Sequence, residues 1–105
     1  MEDKIKGCII GGAIGDALGY PIEFVYSFNG IQKKYGEKGI ENYDLEYAWL
    51  GDKINKAQVS DDTQMTLYTL EALMQNAASN EEIIQNVTNA YLKWMGFQTG
   101  QDVFV

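Results

Sequence analysis

Polar and apolar positions recur at helical spacing along most of the chain. In DKIKGCIIGGAIGDALG, residues 3–19, Gly7, Gly11, Gly15 and Gly19 return at every fourth position. Ile5, Ile9, Ala13 and Ala17 form a second row at the same spacing. Residues four apart share one face of a helix, so this pattern predicts a first helix with a glycine stripe that another helix can approach closely. Each glycine costs about 1 kcal/mol against alanine in a helix, so tertiary packing has to hold it, and Asp3 is its N-cap candidate. Pro21 ends the helix near Gly19, and PIEFVYSF reads as a short continuation in a second helix. Gly30, Gly36 and Gly39 punctuate an irregular stretch reaching Val59, with one short helical segment at IQKKY. Its aromatic part (Tyr43, Tyr47, Trp49) either covers a site or tucks its rings onto the domain.

A third helix is predicted from Ser60 or Asp61 to about Asn76, with Met65, Leu67, Leu70, Leu73 and Met74 as apolar positions. The fourth opens on SNEE, a capping box from Ser79 to Glu82. Ile83, Ile84, Val87, Tyr91 and Trp94 then mark one strong core face to about Met95. No segment reads convincingly as a strand, and Ile40 to Leu50 comes nearest. The expected class is all-α.

Composition narrows the chemistry. The 105 residues suffice for one compact domain of modest stability, and 46% hydrophobic residues exclude a disordered chain. Net charge is −7, every basic residue is lysine, and there is no histidine. No basic stripe is available for nucleic acid. A bidentate arginine clamp, a Ser-His-Asp triad, a Cys-His pair and an imidazole-based zinc site are all excluded. What remains is carboxylates, hydroxyls, lysine, backbone groups or a hard metal ion. The single cysteine, Cys8, cannot form an intrachain disulfide, which fits a reducing cytoplasm, and between Gly7 and Ile9 it reads as a small buried apolar residue. The apolar run after Lys6 is stopped by Asp16, too short for a membrane span, and no secretory signal precedes it.

The glycines do not make a dinucleotide fingerprint, which needs a preceding strand and a different spacing. The carboxylates say more. Asp61 and Asp62 stand side by side at a helix start, between Ser60 and Thr63. Helix capping needs one acid, and a second adds repulsion unless a cation or solvent relieves it. Both capping and a metal site are open on these residues alone. Oxygen donors without histidine favour magnesium, manganese or calcium. Asp16 lies inside an apolar helix, where an acid is rarely buried without a partner, so it serves either a helix–helix hydrogen bond or a site. Glu23 reads first as a solvated loop acid.

GAIGDALGYPIEF (12–24), followed by SDDTQMTL (60–67), resembles the N-terminal part of the ADP-ribosylglycohydrolase family. AYLKWMGFQTG (90–100) resembles the helix that follows in those proteins. The resemblance covers nearly the whole chain and about the first third of a typical member. It implies an all-α fold, the N-terminal portion of an orthogonal multi-helix bundle with two magnesium ions at its centre, manganese being an alternative. Ser60, Asp61 and Asp62 inherit the role of metal ligands, with Thr63 beside them. Glu23 matches the catalytic acid that positions or activates water, and Asp16 matches a supporting aspartate. The implied reaction is magnesium-dependent hydrolysis of an ADP-ribosyl glycosidic bond, on an ADP-ribosylated protein or an ADP-ribose-containing small molecule.

The second metal motif of that family, an Asp-x-Asp followed by a hydroxyl residue, is absent. Asp102 stands near the place of a further acid, but its context does not match. Residues 1–105 are therefore expected to be a single, incomplete domain with half of a metal cluster. Three readings follow: a fragment inactive alone, a short member that completes its site by self-association or with a partner chain, and a non-catalytic helical interaction module. Exposed apolar helix faces would favour association in all three.

Overall fold

A computed structural model describes residues 1–46 and 56–99. The described residues are helical, with no strand among them, as the periodicity predicts. Helix α1 spans Glu2–Gly19, α2 Phe28–Tyr35, α3 Asp61–Leu73 and α4 Asn80–Thr99, and a 3₁₀ turn occupies Tyr20–Ile22. The backbone groups into two compact units, Met1–Ser60 and Asp61–Val105. No helix among the described residues is long and apolar enough to cross a membrane.

In the first unit α1 begins at Glu2, two residues earlier than an Asp3 cap would place it. The Met1 carbonyl accepts from the N–H groups of Lys4 and Ile5, each at 3.1 Å, and Asp3 falls in the first turn, where its charge suits the dipole. Burial along the Ile5 row increases toward the C-terminal end. Ile5 is exposed, Ile9 and Ala13 are half-buried, and Ala17 is buried. Among the described residues nothing packs on the glycine stripe: a Cβ built on Gly7, Gly11, Gly15 or Gly19 meets nothing within 4 Å. The helix is fixed at its far end instead, and for the same reason Cys8 is exposed rather than buried.

Pro21 is the reason α1 gives way to a 3₁₀ turn, since proline suits the first turn of a new helix but cannot donate within an old one. The expected helix over PIEFVYSF is limited to that turn. The chain restarts one residue beyond Ser27, whose hydroxyl accepts from the Gly30 N–H at 3.1 Å and caps α2. Gly30 thus lies inside a helix, and α2 extends the expected IQKKY segment toward the N-terminus. A Cβ on Gly30 would stand 3.0 Å from Val25 Cγ1, so a larger residue there would have to displace that side chain. Lys33 and Lys34 in the last turn suit the negative end of the dipole. Gly36 stops α2 at φ +102°, a conformation that favours glycine. Tyr43 is exposed, and Tyr47 and Trp49 of the aromatic loop lie outside the described residues.

In the second unit α3 and α4 run antiparallel, Gln64 meeting Trp94 and Gln98 while Thr69 meets Tyr91. Helix α3 ends at Leu73, short of Asn76, and Met74 and Gln75 still donate back to Leu70 and Ala72. The start of α4 departs from a reciprocal capping box in one detail. The Ser79 hydroxyl accepts from the Glu82 N–H at 3.2 Å, but the Glu82 carboxylate accepts from Ala78 at 2.6 Å, one residue before the cap. Helix α4 continues four residues past Met95. Its expected core face is only partly covered: Val87 and Trp94 are half-buried, whereas Ile83, Tyr91 and especially Ile84 are exposed. Adjacent positions stand about 100° apart on a helix, so Ile83 and Ile84 cannot both face α3. Ala72 and Gly96 are buried, small residues that allow close approach.

Candidate functional site

The first unit joins two of the sequence-derived candidates. Asp16, half-buried one turn before the end of α1, accepts from Ser60 twice. The Ser60 backbone N–H donates to Asp16 Oδ2 at 2.7 Å, and the Ser60 hydroxyl donates to Oδ1 at 2.6 Å. One carboxylate thereby grips main chain and side chain of a buried residue 44 positions away. Charge-assisted bonds of this kind are stronger than neutral ones. They give Asp16 a hydrogen-bonding role toward the residue that precedes α3. The Ser60 hydroxyl gives its hydrogen to Asp16, and its oxygen retains lone pairs.

Asp61 and Asp62 form the first turn of α3 and are both exposed, and Thr63 behind them is buried. Because the helix begins at Asp61, the cap position falls on Ser60 and neither acid occupies it. Glu23 is exposed directly after the 3₁₀ turn, its N–H bonded to the Tyr20 carbonyl at 3.3 Å. Among the described residues no three histidine, cysteine, aspartate or glutamate side chains gather into a metal cluster. The candidate donors are two adjacent carboxylates flanked by hydroxyls. They are all hard oxygens, a chemistry that fits magnesium and would supply part of a six-coordinate shell. Asp102 lies outside the described residues.

Two polar clusters went unread in the sequence. On α3, Gln64 Oε1 accepts from Trp94 Nε1 at 3.1 Å and from Gln98 Nε2 at 2.8 Å. The i, i+4 spacing of Trp94 and Gln98 was a signal for it. In the first unit the Tyr35 hydroxyl donates to Asp44 Oδ2 at 2.8 Å, with Lys34 Nζ at 3.7 Å from the same oxygen and 5.0 Å from the Tyr35 ring centre. Burial raises the Tyr35 phenol above its ordinary 10.0, and hydrogen bonding to Tyr35 raises Lys34 above 10.5. An open cleft of about 550 Å³ lies here, lined by Tyr35 and residues 40–46. None of the candidate site residues lines it.

Within the first unit, the aspartate of the Gly-Asp motif on α1 thus accepts both bonds that Ser60, the first residue of the Ser-Asp-Asp motif, donates. The profile of the ADP-ribosylglycohydrolase family matches residues 1–104. An uncharacterized protein of Archaeoglobus fulgidus is 34% identical over 82 residues, which cover 78% of this chain and 25% of that protein. The chain thus spans about a quarter of the length of the relative it matches. No solved structure matches it. By the extent of the profile match and the helices that carry its motifs, the chain belongs to the ADP-ribosylglycohydrolase family.

Proposed function

We propose that the chain carries one half of the metal site of an ADP-ribosylglycohydrolase and takes part in magnesium-dependent hydrolysis of ADP-ribosyl glycosidic bonds. The observation that supports this reading best is the double hydrogen bond from Ser60 to Asp16. It fixes the residue immediately ahead of two exposed carboxylates, at the point where the family motifs imply metal ligands. In this reading Ser60, Asp61 and Asp62 hold magnesium, with manganese as an alternative, Thr63 supports them, and Asp16 holds Ser60 in place. Bound magnesium would orient ribose hydroxyls and lower the pKa of a water molecule. Glu23 takes or gives the proton as the bond to the anomeric carbon breaks through an oxocarbenium-like state. None of these roles needs histidine. The substrate is an ADP-ribosylated protein or a small ADP-ribose conjugate.

The test is magnesium-dependent release of ADP-ribose from an ADP-ribosylated protein by the purified chain, with Asp61→Ala plus Asp62→Ala as control. Release that disappears in the double variant supports a site that residues 1–105 complete by self-association or with a partner. Equal release from both proteins would sink the assignment of the two acids. A second reading, a helical interaction module without catalysis, draws on the exposure of Ile10, Ile14, Ile84 and Phe97. Partner binding that survives the double substitution, with no release of ADP-ribose, favours it.

A further inference from the structure

We infer that Gln64 is a positioning residue: its side-chain oxygen, held by two donors on α4, sets the orientation of the helical turn that presents Asp61 and Asp62 to a cation. This inference rests on the functional reading above and concerns a residue that the reading leaves without a role. Gln64 follows Asp61 by three positions, so it stacks one turn along the same side of α3. A carboxamide oxygen has two lone pairs, and both find donors here, the Trp94 indole N–H at 3.1 Å and the Gln98 amide at 2.8 Å. The donors come from successive turns of α4 and differ in kind. Trp94 is a rigid, half-buried ring with a single N–H, and Gln98 is a longer, exposed arm.

An apolar residue at position 64 would fill comparable space without the desolvation that a half-buried amide costs. What the amide adds is direction. Apolar contacts allow α3 to rotate about its axis against α4, whereas a two-donor hydrogen bond penalises rotation. Magnesium and manganese require ligand oxygens near octahedral positions, so a small rotation of this turn matters more to binding than to folding. A third bond joins the same helices further along, between the Thr69 and Tyr91 hydroxyls at 2.8 Å. It provides an internal control, since it adds helix–helix cohesion away from the two acids.

The experiment compares the wild-type chain with Gln64→Leu and Tyr91→Phe by Mn²⁺ titration and by hydrogen exchange at the Met65 and Thr66 amides. These amides bond back toward the first residues of α3. Gln64→Leu is expected to weaken Mn²⁺ binding about fivefold and to speed exchange at both amides. Tyr91→Phe is expected to lower Tm to a similar degree while keeping Mn²⁺ affinity within twofold and exchange unchanged. Should Gln64→Leu not fold, Trp94→Phe removes one donor and is read by the same two measures. Equal effects of the Gln64 and Tyr91 changes would reduce Gln64 to ordinary helix cohesion and overturn the inference, as would no effect from either. If the wild-type chain binds no Mn²⁺, the proposed function fails. The positioning claim then stands or falls on whether exchange at Met65 and Thr66 quickens in Gln64→Leu alone.

Discussion

Replacing Asp16 tests the two bonds that it accepts from Ser60. Asp16→Ala deletes both acceptors of Ser60, the N–H partner at 2.7 Å and the hydroxyl partner at 2.6 Å. Hydrogen bonds to a charged group contribute about 1.5–3 kcal/mol each. Asp16 is only half-buried, so water competes for it, and the pair together is worth roughly 2–4 kcal/mol. A domain of this size has about 5–15 kcal/mol in total, which makes the loss a substantial share. With a urea slope of about 1–3 kcal/mol per molar, the unfolding midpoint should fall by roughly 1–2 M. Asp16→Asn keeps one acceptor oxygen and turns an amide donor toward a donor, so it should fall between wild type and alanine. Ser60→Ala removes only the hydroxyl bond, and a double-mutant cycle with Asp16→Ala isolates the coupling, expected at about 1 kcal/mol or more. Asp3→Asn, exposed in the first turn of α1, serves as a charge control and should change little. Additive effects of the two substitutions, or an alanine variant as stable as the Asp3 control, would refute the clamp.

The raised Tyr35 phenol, caused chiefly by burial, keeps its proton in the folded chain while an unfolded tyrosine loses it near pH 10. The Lys34 shift, caused first by its hydrogen bond to Tyr35, has the same sign. Their contribution is therefore present below about pH 10 and lost as pH rises through the folded values. Tm of Tyr35→Phe should fall less steeply than that of wild type above that pH, and parallel curves would contradict the geometry. Ser79→Ala removes the cap of α4 and should cost about 1 kcal/mol, measured by urea unfolding, with no change in the amides of α3. Asp61→Asn plus Asp62→Asn should leave Tm unchanged or raise it without divalent cation, because adjacent like charges repel. Added Mn²⁺ should stabilise only the wild type. A fall in Tm without cation would show instead that the two acids serve the dipole of α3.

The helices were legible because their signals are local. The four-residue rows of α1, the Ser79 cap and the periodicity of α4 act within one or two turns, and each element appears close to its expected span. Pro21 and Ser27 displaced the helix expected over PIEFVYSF, since the cap at Ser27 starts α2 at the last residue of that segment. Burial was less legible. The row Ile5, Ile9, Ala13, Ala17 describes which residues share a face, but not that the packed end is the one at Ala17. Cys8 was misjudged for that reason, its apolar neighbours being equally exposed or half-buried. The i, i+4 spacing of Trp94 and Gln98 puts the two donors on one face of α4, but no spacing within one helix pairs them with Gln64, or Tyr35 with Asp44.

The paired acids at the start of α3 illustrate how a structure changes the weight of a sequence alternative. A helix beginning at Asp61 needs one polar residue ahead of it, and Ser60 occupies that place, held by Asp16. The two acids then stand in the first turn rather than at the cap position. The helix dipole still favours negative charge in the first turn, but that preference is weak at an exposed position, and two adjacent carboxylates oppose it by repelling each other. The turn that carries the two exposed acids is anchored one turn further along by Gln64, which accepts from Trp94 and Gln98. Rigid placement of like charges is what a divalent cation requires and what a solvated helix end does not. The anchor together with the adjacency of the two acids, rather than either acid alone, adds to the support that the Ser60–Asp16 bonds give the metal reading.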